Sequence, residues 1–416
     1  MRLRIVAICV VGVAVGASIL PFCAVGAALG PMMLEFGWGA DQVSLSYALM
    51  MWAGALSIWP IGVLVDRYGP RPVAAAGAVA IGLVSLMLPL VRDFGQLCPL
   101  LVLLGAGGSS GLAYSRVVAS LFGGRRGLAM GLFAAEGSAL GLVLPIILGH
   151  LVMDIGWRGS FAAIGVVVLL AAPLIYFGLA AGKGEGDRAM GSAAAAEGMT
   201  AAQIVRGRAF WIIVAASLAA GAMGGGVLAS FGAAIAEKGF GQAPVLRAAP
   251  VTLIAALAGA ICAGMLLDRT RTARVAALAY LATALAYLVW ALVTPSFGGE
   301  PALIGGLALG AFAFAAQFPL IGYFFSRYFG LKTFATAYGL QSFIQAVVIG
   351  LAGPAIGAAV ALPGNYNLVF EVGIAVQVLA ALLYLLLPSY RYPAIGEADR
   401  DDPALAPDPL VRVRSQ

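Results

Sequence analysis

Gly62 to Val73 reads GVLVDRYGPRPV, and Gly264 to Val275 reads GMLLDRTRTARV. Gly62, Leu64, Asp66, Arg67 and Val73 return as Gly264, Leu266, Asp268, Arg269 and Val275 in unbroken register. Each copy lies where one long apolar run ends and the next begins. A repeat placed between apolar spans marks a membrane protein built of two like halves.

Composition agrees. Of 416 residues, 62% are hydrophobic and 10% charged, with a mean hydropathy of +1.01. A soluble domain carries about 25% charged residues, so these charges are too few to cover a soluble surface. Apolar runs fall at 5–29, 43–65, 73–91, 97–121, 128–152, 160–181, 209–234, 246–267, 274–294, 302–326, 333–359 and 366–388. Each is long enough to cross a bilayer, for which about 20 residues suffice. The expected fold is an all-α membrane protein of twelve transmembrane helices in two pseudo-symmetric six-helix bundles. A β-barrel is disfavoured, because barrel strands are short and alternate polar with apolar. The start, MRLRIVAICVVGVAVGASILPFCAVGAALG, resembles a signal peptide, but its apolar run exceeds the about 7–15 residues of such a core. It reads as an uncleaved first helix.

Charge sets the topology. With the N-terminus in the cytoplasm, cytoplasmic segments hold 19 of the Lys and Arg residues. The outer segments hold Arg92, Arg158, Lys238 and Arg247, and Arg116 lies within a span. The positive-inside rule then puts both termini in the cytoplasm. The net charge of +6 is thereby a topology signal and implies no nucleic-acid partner. Cys9, Cys23, Cys98 and Cys262 lack metal-ligand spacing, and His150 stands alone, so neither metal nor cofactor is expected.

The chain divides into an N-terminal bundle (1–181), a polar cytoplasmic linker (182–208), a C-terminal bundle (209–388) and a Pro-rich, acidic tail (389–416) read as disordered. LFGGRRGLAMGL (121–132) resembles YFGLKTFATAYGL (328–340) with one insertion. Both segments lead into helices rich in glycine and containing proline, the fifth and the eleventh. Small residues there permit close helix approach, and proline permits a bend.

Taken together, the chain resembles the major facilitator superfamily. The family's loop motif between the second and third helices, roughly G-x-L-x-D-R-x-G-x-R, stands here as Gly62, Leu64, Asp66, Arg67, Gly69 and Arg71. The second copy has Arg271 in place of the motif glycine. The resemblance implies that Asp66, Arg67 and Arg71 form a cytoplasmic gate. EFGWGADQVSLSYAL (35–49), RRGLAMG, DIGWRGSF (154–161) and RYFGLKTFATAYG (327–339) are similar to the monocarboxylate and oxalate/formate porter branch. Carboxylate-binding members often place an arginine inside the eighth helix; here Arg247 stands only at its outer edge. The resemblance also implies a multi-pass, monomeric protein of the inner membrane that handles a small-molecule substrate.

Arg116 and Glu136 are charged residues at span depth. Arg116 lies roughly 9 Å, six residues at 1.5 Å each, from the cytoplasmic end of the fourth helix. Burial of arginine in a bilayer costs roughly 2.5–3.5 kcal/mol, so it needs a partner. Glu136, at similar depth on the fifth helix, is the expected one. Three roles stay open for the pair: a structural ion pair, a substrate carboxylate site, or a proton-coupling switch centred on Glu136. Tyr338, Gln341 and Gln345 form a polar stripe on the eleventh helix. With Tyr114, Arg116 and Gln317 they make up the candidate substrate pathway, against helix–helix hydrogen bonding as the plainer role. Tyr47, Trp52 and Trp59 read as packing residues or interface anchors rather than a binding cage. Gly221, Gly224, Gly225 and Gly226 weaken the seventh helix and read as a hinge or break, or as irregular backbone open to substrate.

The chain carries no P-loop and no catalytic cluster. These features predict a non-enzymatic secondary transporter working by alternating access, for a small organic anion by proton symport or anion exchange. Proton-driven efflux of amphipathic compounds, or a receptor on a transporter fold, are the alternatives.

Overall fold

The structure is a computed structural model that describes residues 8–9, 11–14, 19–121, 126–179, 198–270, 272–360, 366–388 and 390. Most of the expected linker, nearly all of the tail, Arg125 and Arg271 lie outside the described residues.

Among these residues, nine helical stretches are long and apolar enough to cross a membrane. One of them, Arg126–Gly178, is two spans joined through Gly156, whose φ of 72° and ψ of 165° break the helix. Two shorter apolar stretches, Arg208–Met223 and Phe334–Ile349, supply the seventh and eleventh spans. The twelve spans fall in two bundles of six.

Span limits follow local chemistry. The first span ends seven residues later than the sequence suggests: the helix runs Ile19–Phe36 through Pro31. It stops at Gly37, whose φ is 67° and whose amide reaches the Met33 carbonyl at 2.9 Å. The second span, Ala40–Tyr68, ends at Gly69 with φ 88°, and Pro70 opens the third span, Pro70–Met87. Glycine takes the positive φ, and proline at the first helical position loses no needed N–H. That Gly-Pro step is the turn of the loop motif. The fourth span is interrupted: Phe94–Gly108 passes through a 3-10 turn, Ser109–Gly111, into Leu112–Leu121. Ser109 Oγ donates to the Gly54 carbonyl at 2.7 Å there, tying the interruption to the second span. The C-terminal bundle comprises Arg208–Glu237, Gln242–Thr270, Arg274–Leu292, Gly299–Tyr328, Phe334–Val360 and Tyr366–Leu385.

Large apolar side chains such as Leu170, Leu174, Phe177 and Ile254 point outward and are about two-thirds exposed. Rows of such residues fit a lipid-facing surface. The bundles meet chiefly where the second span crosses the eleventh and the fifth crosses the eighth. At both crossings a glycine lets backbones touch. A Cβ at Gly62 would run into the Ala335 carbonyl, and one at Gly264 into the Gly127 carbonyl.

Candidate functional site

The repeated aspartates act alike. Asp66, at the end of the second span, accepts the amides of Ala335 (3.3 Å) and Thr336 (2.6 Å) in the first turn of the eleventh. Asp268, at the end of the eighth, accepts those of Gly127 (2.7 Å) and Leu128 (2.8 Å) in the first turn of the fifth. The first amides of a helix lack intrahelical partners, and the helix dipole favours negative charge beside them. Each carboxylate thus joins one bundle to the other at the arginine-rich end. The Asp268 contact was missed from the sequence, although the repeat that pairs Asp66 with Asp268 contained its signal.

Arg116 does not meet Glu136. Its Nη1 donates to Asp66 Oδ1 and to the Val65 carbonyl, both at 2.8 Å. Asp66 is 7% and Arg116 5% exposed, so each charge is desolvated and needs the other. The sequence-based pairing fails because equal depth on two helices does not fix which face a side chain takes, and Arg116 lies against the second span beside Asp66. Arg116 therefore belongs to the contact between bundles.

The other two motif arginines lie elsewhere. Arg67 is exposed and stacks over the Tyr68 ring at 5.4 Å. Arg71 stacks over Tyr176, on the sixth span, at 5.1 Å.

Both carboxylate oxygens of Glu136 are buried without a hydrogen-bond partner, as is the hydroxyl of fully buried Tyr114. Cys9 lies within electrostatic reach of both residues, and Gly12 packs on the Tyr114 ring so closely that a Cβ would strike it. The first, fourth and fifth spans thus enclose two unsatisfied groups, a phenol and a carboxyl. Unpaired buried groups are costly, and a carboxyl and a phenol can bind a proton or hydroxyl-bearing cargo.

The amides are occupied with one another. Gln341 Nε2 donates to Ser217 Oγ and to Gln345 Oε1, each at 3.1 Å. Gln345 Nε2 donates to the Ser217 carbonyl at 3.3 Å. The two stitch the eleventh span to the seventh. Gln317 Nε2 donates to Thr283 Oγ1 at 2.8 Å, which turns it toward the ninth span and away from the other candidates. Tyr338 stacks on Phe334 at 5.8 Å and meets Phe325 edge-on at 5.9 Å.

The opposite end carries a second cluster. Trp157 Nε1 donates to Glu35 Oε2 at 2.6 Å, and Arg158 forms an ion pair with the other oxygen. Arg158 also donates to the Pro89 carbonyl at 3.1 Å and lies over the Trp157 ring at 4.3 Å. In the other bundle Arg247 and Glu300 pair through two contacts, at 2.9 and 3.0 Å.

Comparison with known proteins agrees with this architecture. Over 140 residues the chain is 29% identical to a probable L-galactonate transporter of Escherichia coli K12, covering 33% of this chain and 31% of that protein. Over 141 residues it is 26% identical to the uncharacterized MFS-type transporter YcxA of Bacillus subtilis 168, covering 33% and 35%. The match thus spans only about a third of either relative's length. The fold is shared with the proton:xylose symporter XylE (TM-score 0.71, 14% identity, 93% and 96% coverage). It is shared also with the human organic anion transporter MFSD10 (TM-score 0.69, 15% identity, 92% and 99% coverage). Residues 6–299 match the family described as Major Facilitator Superfamily. With this match over most of its length, the chain belongs to the Major Facilitator Superfamily.

Proposed function

We propose that the chain is a secondary active transporter working by alternating access, carrying a small organic anion together with a proton. Superfamily members are transporters, and the chain is not an enzyme. The distribution of basic residues supports reading the arginine-rich end as the cytoplasmic side, the family resemblance supports the inner membrane, and the Asp66 and Asp268 contacts are read as the gate. The two bundles rock apart there when both contacts break, exposing a site between them.

The observation that carries the coupling is Glu136, whose carboxylate oxygens are buried and unpartnered. A lone carboxylate in such surroundings is tolerated when neutral or when cargo compensates it. Arg116 is already committed to Asp66. An anion approaching Glu136 therefore requires the acid form, which donates a hydrogen bond to it, and Tyr114 supplies a second donor. This makes symport the favoured mode over exchange. The cargo class rests on the blocks similar to carboxylate porters and on the likeness to the probable L-galactonate transporter, which together favour a small monocarboxylate or hydroxy-carboxylate.

Uptake into proteoliposomes tests this, using labelled lactate, oxalate and galactonate and a cationic dye, with and without an inward proton gradient. Wild type is expected to accumulate a carboxylate against its gradient. Glu136→Gln is expected to lose gradient-driven accumulation while retaining counterflow. Dye transport without carboxylate uptake would transfer the reading to efflux of amphipathic compounds. Binding without flux would make the chain a receptor.

A further inference from the structure

The two halves support their aspartates differently. Ser115-Arg116 in the fourth span recurs as Ser326-Arg327 in the tenth. Arg116 bonds Asp66 directly. Arg327, 3% exposed, lies within electrostatic reach of Asp268 together with Arg126. It stacks over the rings of Tyr323 (5.6 Å) and Tyr390 (5.1 Å). Tyr323 in turn donates to the Leu267 carbonyl at 3.3 Å, next to Asp268.

Tyr390 lies beyond the end of the last span at Leu385, where it is not needed to cross a membrane. Its ring nevertheless packs against Tyr328 (5.2 Å), Tyr323 (6.0 Å) and Phe324 (6.4 Å). Tyr328 donates its hydroxyl to the Pro388 carbonyl at 2.8 Å, fixing the chain just before Tyr390. The Tyr390 hydroxyl has no hydrogen-bond partner, so the ring supplies the contact. Burial, with Tyr323 and Tyr328 nearby, pushes the phenol well above its usual range against the opposing effect of Arg327. It stays neutral at physiological pH.

We propose that Tyr390 is a positioning residue for the gate: its ring, packed against Tyr323 and Tyr328, holds Arg327 near Asp268 and so favours the state in which Asp268 holds the fifth span. Half-buried Asp268 keeps its grip on the Gly127 and Leu128 amides more firmly with a cation held near it. Without the Tyr390 ring, Arg327 is held less firmly near Asp268 and the contact weakens. This rests on the alternating-access reading, but its test needs neither substrate nor gradient.

The test is an electron-paramagnetic distance measurement in nanodiscs. Spin labels at Tyr68→Cys and Thr270→Cys, with the four native cysteines replaced by alanine, sit on exposed ends of the second and eighth spans. Tyr390→Ala is expected to raise the ratio of long-distance to short-distance populations about two- to thirtyfold, the span of a cation–π contact from exposed to desolvated. Tyr390→Phe keeps the wild-type ratio, and Tyr328→Phe shifts it the same way but less. In an Asp268→Asn background, Tyr390→Ala adds nothing further. An unchanged ratio in Tyr390→Ala, an equal shift in Tyr390→Phe, or an undiminished shift in Asp268→Asn overturns the proposal. If Tyr390→Ala is not monodisperse, Tyr328→Phe decides alone, and an unchanged ratio there overturns it. Uptake failing with these distance shifts intact would count against the transport reading only.

Discussion

Arg116 Nη1 lies 2.8 Å from Asp66 Oδ1, and that oxygen also accepts the Ala335 amide at 3.3 Å. One buried atom thus binds an arginine of its own bundle and a helix start of the other. Removing either charge leaves the other desolvated without its counter-charge.

Arg116→Ala should therefore cost more than losing the pair. Breaking a buried pair from one side typically costs about 3–5 kcal/mol, whereas removing both charges costs much less. Thermal unfolding in detergent should place Arg116→Ala below the Asp66→Ala/Arg116→Ala double variant. A double variant less stable than Arg116→Ala would mean that the pair is not an isolated unit.

The glycine crossings yield a second expectation. Valine at Gly62 or Gly264 puts a side chain against a backbone carbonyl of the other bundle, and overpacking costs about 1–3 kcal/mol. Each bundle folds as before, because the clash lies between bundles. The Tyr68–Thr270 label distance should lengthen in Gly62→Val and in Gly264→Val alike. A shift in only one of them would deny that the two crossings are equivalent.

How far these features were legible in the sequence depended on how local they are. Span number and the turn at Gly69-Pro70 follow from hydropathy and from backbone preferences that single residues dictate. The match between Asp66 and Asp268 was visible as a repeat. Their acceptor role was not, because the donors are the amides of Ala335, Thr336, Gly127 and Leu128, and backbone N–H groups leave no mark in side-chain identity. Pairing Arg116 with Glu136 by depth failed because depth says nothing of azimuth.

Glu35, Trp157 and Arg158 join the first and sixth spans and, through Pro89, the third, at the end away from Asp66 and Asp268. Glu35 and Arg158 are about 40% exposed as side chains, so screening leaves their ion pair a minor contribution. Trp157 is 4% exposed, and its hydrogen bond to a charged acceptor is worth about 1.5–3 kcal/mol. Trp157→Phe should lower stability by nearly that amount, and Arg158→Lys by less than 1 kcal/mol or so. Unfolding midpoints in the same detergent would expose a reversed order, which would put the ion pair ahead of the indole.

Gln341 and Gln345 bond Ser217 and each other, which favours a structural role over substrate contact. Interhelical hydrogen bonds in membranes average about 0.6 kcal/mol. Gln345→Leu should thus lower stability by that order and leave the KM for a transported carboxylate within about twofold, since 1.4 kcal/mol separates tenfold changes. Gln341→Leu should be costlier, because Gln341 is fully buried and its loss removes three bonds, to Ser217, Gln345 and Ser342, while leaving Ser217 Oγ without its donor. A tenfold rise in KM with unchanged stability in either variant would return the glutamines to the substrate pathway, and the eleventh span with them.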